Sequence, residues 1–143
     1  MDWRIKQKSL LVGSLSVLDK DNNLSVAPLE LPKKWKELKE VDYSVLDEAK
    51  GEINITQWHF PDWLERITLE KNLETPVELS SGTVKMVVSS NDLKLGYISA
   101  WLKEWDFVDE DGDKLEVEDL YNQHALVLDC HVESFAKELR RLQ

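Results

Sequence analysis

The chain has 143 residues, 42% hydrophobic and 32% charged, a size and balance that suit one folded domain and exclude both a disordered segment and two separate cores. A net charge of −10 excludes a non-specific nucleic-acid binder, because phosphate backbones are recognised by clustered Lys and Arg. The longest uncharged apolar run, near residues 10–18, is broken by Ser and Gly and falls far short of the ~20 residues that cross a bilayer, so no membrane segment is expected.

The first residues show no clean apolar stretch ending in small side chains, and no signal peptide is read there. Cys130 is the single cysteine and has no internal partner, which fits a reducing, cytoplasmic setting. Charge is unevenly spread. Residues 1–40 carry eight basic and six acidic side chains, whereas residues 41–143 carry ten and twenty-two. Glu104 to Asp119 alone holds nine acids against Lys114, a local charge of −8 suited to a basic partner.

From the N-terminus, Trp3 and Ile5 alternate with basic residues, followed by Leu10, Val12, Leu15 and Val17. The phase slips at Gly13, where a bulge would return both halves to one face. Asp19 to Asn23 is a turn, and Leu24 and Val26 resume the alternation, so a β-hairpin is expected. Asp19, Asp21, Asn23 and Glu30 fit the calcium-loop positions 1, 3, 5 and 12, but Leu24 stands where that loop requires Gly, which removes the metal reading.

Pro32 suits the first turn of a helix running to Glu40 with Trp35 and Leu38 as its stripe, and a second short helix is expected over Tyr43 to Lys50. Ile53, Ile55 and Gln57 alternate as a strand. Trp58, Phe60 and Trp63 crowd a helix start capped by Asp62, with Trp63, Leu64, Ile67 and Leu73 expected to share the packing face. A second hairpin follows: Val77 and Leu79, the turn at Ser80-Ser81-Gly82, then Val84, Met86 and Val88. Capping residues at Ser89 to Asp92 open a helix expected to run to Trp105, bringing Trp101 and Trp105 onto one face. After the acidic turn at Asp109 to Asp113, Glu118 and Asp119 suit the start of a last helix. The spacing of Leu128, Val132, Phe135, Leu139 and Leu142 makes a seam that must be covered by the sheet or by a partner.

The chemistry of catalysis is poorly represented. Three histidines are scattered, and His124 and His131 lack a nearby third ligand. His131-Val132-Glu133 matches the His-x-Glu of zinc deaminases, but the paired cysteines of that site are missing. Asp62 and Asp92, which echo a metal-dependent nuclease core, read better as helix caps. No Gly-rich phosphate loop and no nucleophile elbow is present, so neither a cofactor nor a metal is expected.

The segment from Ile98 to Leu115, with Trp105, Phe107, Asp109, Asp111 and Gly112, resembles small proteins encoded in bacteriophage tail gene clusters, many of them tail assembly chaperones. That resemblance, over roughly the last fifty residues, implies a non-enzymatic accessory protein that shields an aggregation-prone tail component, either in the host cytoplasm or on the virion.

The expectation is therefore one α+β domain, residues 1–143, of two antiparallel hairpins packed against three or four helices, the C-terminal one longest. Its function is read as protein–protein interaction without catalysis. The candidate contacts are Trp58, Phe60 and Trp63 as apolar anchors, and Asp106, Asp109, Asp111 and Asp113 as the steering charge for a tail component or a basic host protein. The alternative is an acidic inhibitor that mimics DNA, although its carboxylates bunch in a turn instead of lining an elongated face. Nucleic acid and membrane are not expected as partners.

Overall fold

Alternating side chains and three short turns set the strands of the computed structural model, which describes Arg4, residues 8–32, Trp35, residues 43–46 and residues 50–141. In chain order the elements are β1 (Ser9–Leu18), β2 (Leu24–Leu29), a 3-10 turn (Tyr43–Leu46), β3 (Glu52–His59), α1 (Trp63–Leu73), β4 (Thr75–Glu78), β5 (Val84–Val87), α2 (Ser90–Trp101), β6 (Leu102–Trp105), α3 (Val117–Leu120) and α4 (Ala125–Arg141). The fold is α+β, and α4 is the longest helix. One antiparallel sheet has the order β2-β1-β3-β6, and β4 with β5 forms a separate two-stranded ribbon. The alternation at Trp3 and Ile5, Leu142, and most of the expected helix over Pro32 to Glu40 lie outside the described residues. Of the short helix expected from Tyr43, residues 43–46 form the 3-10 turn.

The turns at 19–23, 79–83 and 109–113 share one backbone design. In each, the first N–H donates to the fifth carbonyl and the fourth N–H donates to the first carbonyl. The fourth residue is left-handed in all three, at Asn22 (φ 62°), Gly82 (φ 82°) and Gly112 (φ 84°). This is a three-residue hairpin loop that needs a residue tolerant of positive φ. In two of them an Asp occupies the first place: Asp19 Oδ1 accepts from Asp21 and Asn23, and Asp109 Oδ1 accepts from Asp111 and Asp113, at 2.8–3.0 Å. The calcium-like spacing therefore reflects side chains that close a turn on themselves.

The core lies between the main sheet and α4. Val127, His131, Val132, Phe135 and Leu139 form the buried face of α4, which packs on β1 and β2, so the C-terminal seam is internal over this length. Trp58 stacks on Phe135 with centroids 4.4 Å apart, and Tyr97 meets Phe135 edge-on at 5.6 Å while stacking on Trp101 at 5.3 Å.

Four local expectations are corrected. No bulge occurs at Gly13: the β1–β3 ladder runs without a break from Ser9↔His59 to Ser16↔Glu52. Leu10 and Val12 thus share the α4 side with Ser14 and Ser16, while Leu11 and Leu15 face away and are half-buried. Both sides of β1 find cover, because Leu31 lies across Gly13, where an added Cβ would meet the Leu31 side chain at 3.0 Å.

The helix expected to reach Trp105 stops at Trp101, and β6 replaces its last turn. Pairing with β3 (Thr56↔Trp105, Gln57↔Glu104) gives this segment backbone partners that a solvated helix end would lack, so Trp101 and Trp105 do not share a helical face. Asp62 caps α1 as expected, in a reciprocal box with Glu65. The capping role at α2 instead belongs to Ser89, whose Oγ accepts from the N–H of Asp92 at 3.1 Å. Finally, α1 does not pack through Trp63, Leu64 and Ile67. Its half-buried side carries Leu69 and Leu73, which fit against the bare backbone of Gly96 on α2.

Candidate protein-interaction site

Exposed large apolar side chains occur along the chain, Leu18, Val108 and Leu126 among them, but they are most concentrated in residues 63–87. Trp58 is 0% exposed and Phe60 is buried beside it. Both belong to the core, stacked or packed among Leu10, Tyr97 and Phe135, and are withdrawn as partner anchors. Trp63, by contrast, is 69% exposed and Leu64 is 65% exposed, with Ile67 also open. Residues 63 and 67 lie four apart and 64 and 67 three apart, so these three share one helix surface. The ribbon that follows adds Val77, Leu79, Val84 and Met86, all exposed. Its register sets Val77 opposite Lys85 and Met86 opposite Pro76, so apolar groups stand on both of its sides. Burying Trp63 and Leu64 against a partner would contribute about 1.5–3 kcal/mol per side chain.

The acidic candidates also separate by role. Asp106 ties the end of β6 into the fold: its Oδ1 accepts from the Ile55 N–H at 3.0 Å and from Asn54 Nδ2 at 3.2 Å, and its Oδ2 accepts from the Tyr43 hydroxyl. Both oxygens are occupied, so Asp106 serves the body and is not free to steer a partner. Burial and the bond to Asp106 push the Tyr43 phenol well above its usual range. Asp109 closes its turn, whereas Asp111 and Asp113 are exposed on the loop that it closes. Trp105 anchors that loop by donating Nε1–H to the Leu115 carbonyl at 2.9 Å, and Lys114 lies over its ring at 4.9 Å. Between the loop and α3 runs a shallow groove lined by Asp109, Asp113, Glu116 and Asp119.

A buried polar chain was not anticipated. His131 is 0% exposed and uses both ring nitrogens, Nδ1 lying 2.7 Å from Thr56 Oγ1 and Nε2 2.9 Å from Ser14 Oγ. Trp58 donates Nε1–H to Thr56 Oγ1 at 2.8 Å. With the proton on Nδ1 every donor has an acceptor: Trp58 and His131 donate to Thr56, Thr56 to the Val12 carbonyl, and Ser14 to Nε2. Burial lowers the His131 pKa to about 4, so the ring is neutral at pH 7. Ser14 is fully buried as well, so the pair reaches no substrate. The sequence signal was present: Ser14, Ser16, Asn54 and Thr56 fall at core-facing strand positions, and His131 falls in phase with Leu128 and Phe135.

Among the described residues, no three of His, Cys, Asp and Glu converge as metal ligands, and no helix is long and apolar enough to cross a membrane. Cys130 is half-buried, and that burial raises its thiol pKa. No protein-family model, no curated protein and no solved structure matches the chain.

Proposed function

We propose that this is a non-enzymatic binding protein that holds a basic, apolar-faced partner through residues 63–87, with Asp111 and Asp113 steering the approach. The observation that carries the reading is the exposure of Trp63 and Leu64 side by side on α1, whereas Trp35, Trp58 and Trp101 are buried and Trp105 is half-buried. Exposed aromatics of this size are the commonest anchors of protein interfaces, and rim charges set the rate and salt dependence of encounter. The charge of −10 favours a basic partner over nucleic acid. Together with the resemblance around Trp105 to Gly112, this supports a phage tail-assembly accessory or chaperone that covers an apolar surface of a structural component.

Co-expression with the products of neighbouring genes, followed by co-purification, tests this. The intact chain retains one of those products. Trp63→Asp with Leu64→Ser releases it, and Asp111→Lys with Asp113→Lys weakens retention and removes its salt dependence. Retention of none of them, or retention unchanged in the apolar variant, contradicts the proposal.

A further inference from the structure

Away from residues 63–67 and the acidic turn, α2 and α4 enclose a groove of about 470 Å³ whose charge opposes that of the chain. Lys94, Lys137 and Arg140 line it against one acid, Glu133, on a molecule of net charge −10. Lys94 is held by Asp129 at 2.9 Å and Glu133 at 3.3 Å, whereas Lys137 and Arg140 form no ion pair among the described residues. The floor is apolar, with Leu93 and Val132.

Tyr97 is the aromatic side chain that lines this groove. The residue is only 4% exposed, its ring fixed against Trp101 and Phe135. Its hydroxyl has no hydrogen-bond partner among the described residues, and Ser16 Oγ is the only described side-chain polar atom both sealed from solvent and unbonded. The Tyr97 oxygen therefore keeps solvent contact, and Tyr97 lines the groove. Arg66, Glu70 and Arg140 all act on the phenol electrostatically, Arg66 most and Arg140 least. A rigid phenol donor beside two unpaired cations and an apolar floor matches a group with a charged oxygen at one end and hydrocarbon at the other.

We propose that the groove between α2 and α4 binds an organic carboxylate on an apolar stem: Tyr97 donates to one oxygen, Lys137 and Arg140 balance the charge, and the stem rests on Leu93 and Val132. Two sources present that chemistry, a free aliphatic acid and an acidic side chain of another protein beside an apolar one. Proton–nitrogen NMR titration of the whole chain with hexanoate, with acetyl-Leu-Glu-amide and with the uncharged hexanamide tests the proposal. Saturable shifts confined to residues 90–97 and 132–140 are expected with at least one carboxylate probe, and the tighter of the two identifies the source. Hexanamide binds at least about tenfold more weakly. Tyr97→Phe, which keeps the ring packing, weakens carboxylate binding about fivefold at unchanged thermal stability, and Lys137→Ala with Arg140→Ala removes it. Absence of saturable shifts with either carboxylate, equal binding of hexanamide, or undiminished binding by the double variant overturns the proposal.

Discussion

Trp58 and Trp63 are five residues apart, yet one is sealed in the body and the other projects into solvent. The sheet with α2 and α4 treats apolar area as a packing resource, stacking Trp58 on Phe135 and joining Trp58, Thr56, His131 and Ser14 in one hydrogen-bonded chain. Residues 63–87 leave most of theirs open: Leu69 and Leu73 are half-buried against Gly96, but α1 has no fully buried residue, and β4 and β5 have none either. A two-stranded ribbon is marginal alone in water, so its exposed Val and Met side chains contribute little to folding. The body accordingly carries the stability, and the proposal assigns the binding to the exposed stretch.

The largest break of that contrast is a truncation in the body. Phe135→Ala removes the ring that Trp58, Tyr97 and Trp101 share, and is expected to destabilise the chain by about 3–5 kcal/mol in guanidinium unfolding. A loss below about 1 kcal/mol would mean that the four rings are not the centre of the core.

Acid titration sharpens the same point. The folded His131 pKa of about 4 lies below the ordinary 6.5, so the unfolded chain takes up the proton first as pH falls. The stability this residue contributes is complete above about pH 6.5 and declines through the window down to about pH 4. The decline amounts to about 3 kcal/mol. Urea unfolding across that window, compared with His131→Gln, isolates the effect from the carboxylates: the variant should show the shallower slope, and equal slopes would exclude a neutral buried ring.

Thr56→Val comes next. It strands the donors of Trp58 and His131 without changing side-chain size much, and a loss of about 1–3 kcal/mol is expected. Smaller still is the acidic turn, where Asp109→Ala opens two backbone hydrogen bonds and lowers stability by about 1 kcal/mol. Asp111→Ala stays within about 0.5 kcal/mol. Parity of the two variants in thermal unfolding would show that Asp109 does not hold the loop.

Much of this was legible in the residues. The two hairpins, the β3 alternation, the Asp62 cap, the acidic turn and the α4 seam all follow from local pattern, because turn chemistry and periodicity act over a few residues. What was hidden depended on distant partners. Leu102–Trp105 reads as helix until β3 offers it a ladder, and the regular register of β1 requires Leu31 and α4 on opposite sides. Of the expected α1 face only Leu73 packs: Trp63, Leu64 and Ile67 look like core to any rule that buries apolar residues, whereas Gly96 selects Leu73 together with Leu69. Local rules also gave no way to separate Trp58 and Phe60 from Trp63 within one aromatic cluster.

The contrast between body and exposed stretch is tested most directly by measuring thermal unfolding and partner retention on one preparation of the Trp63→Ser, Leu64→Ser chain. A midpoint within about 2 °C of the parent together with loss of the co-purified partner is the expected result. A midpoint lowered by about 10 °C, or a partner still held at the parental level, would contradict it.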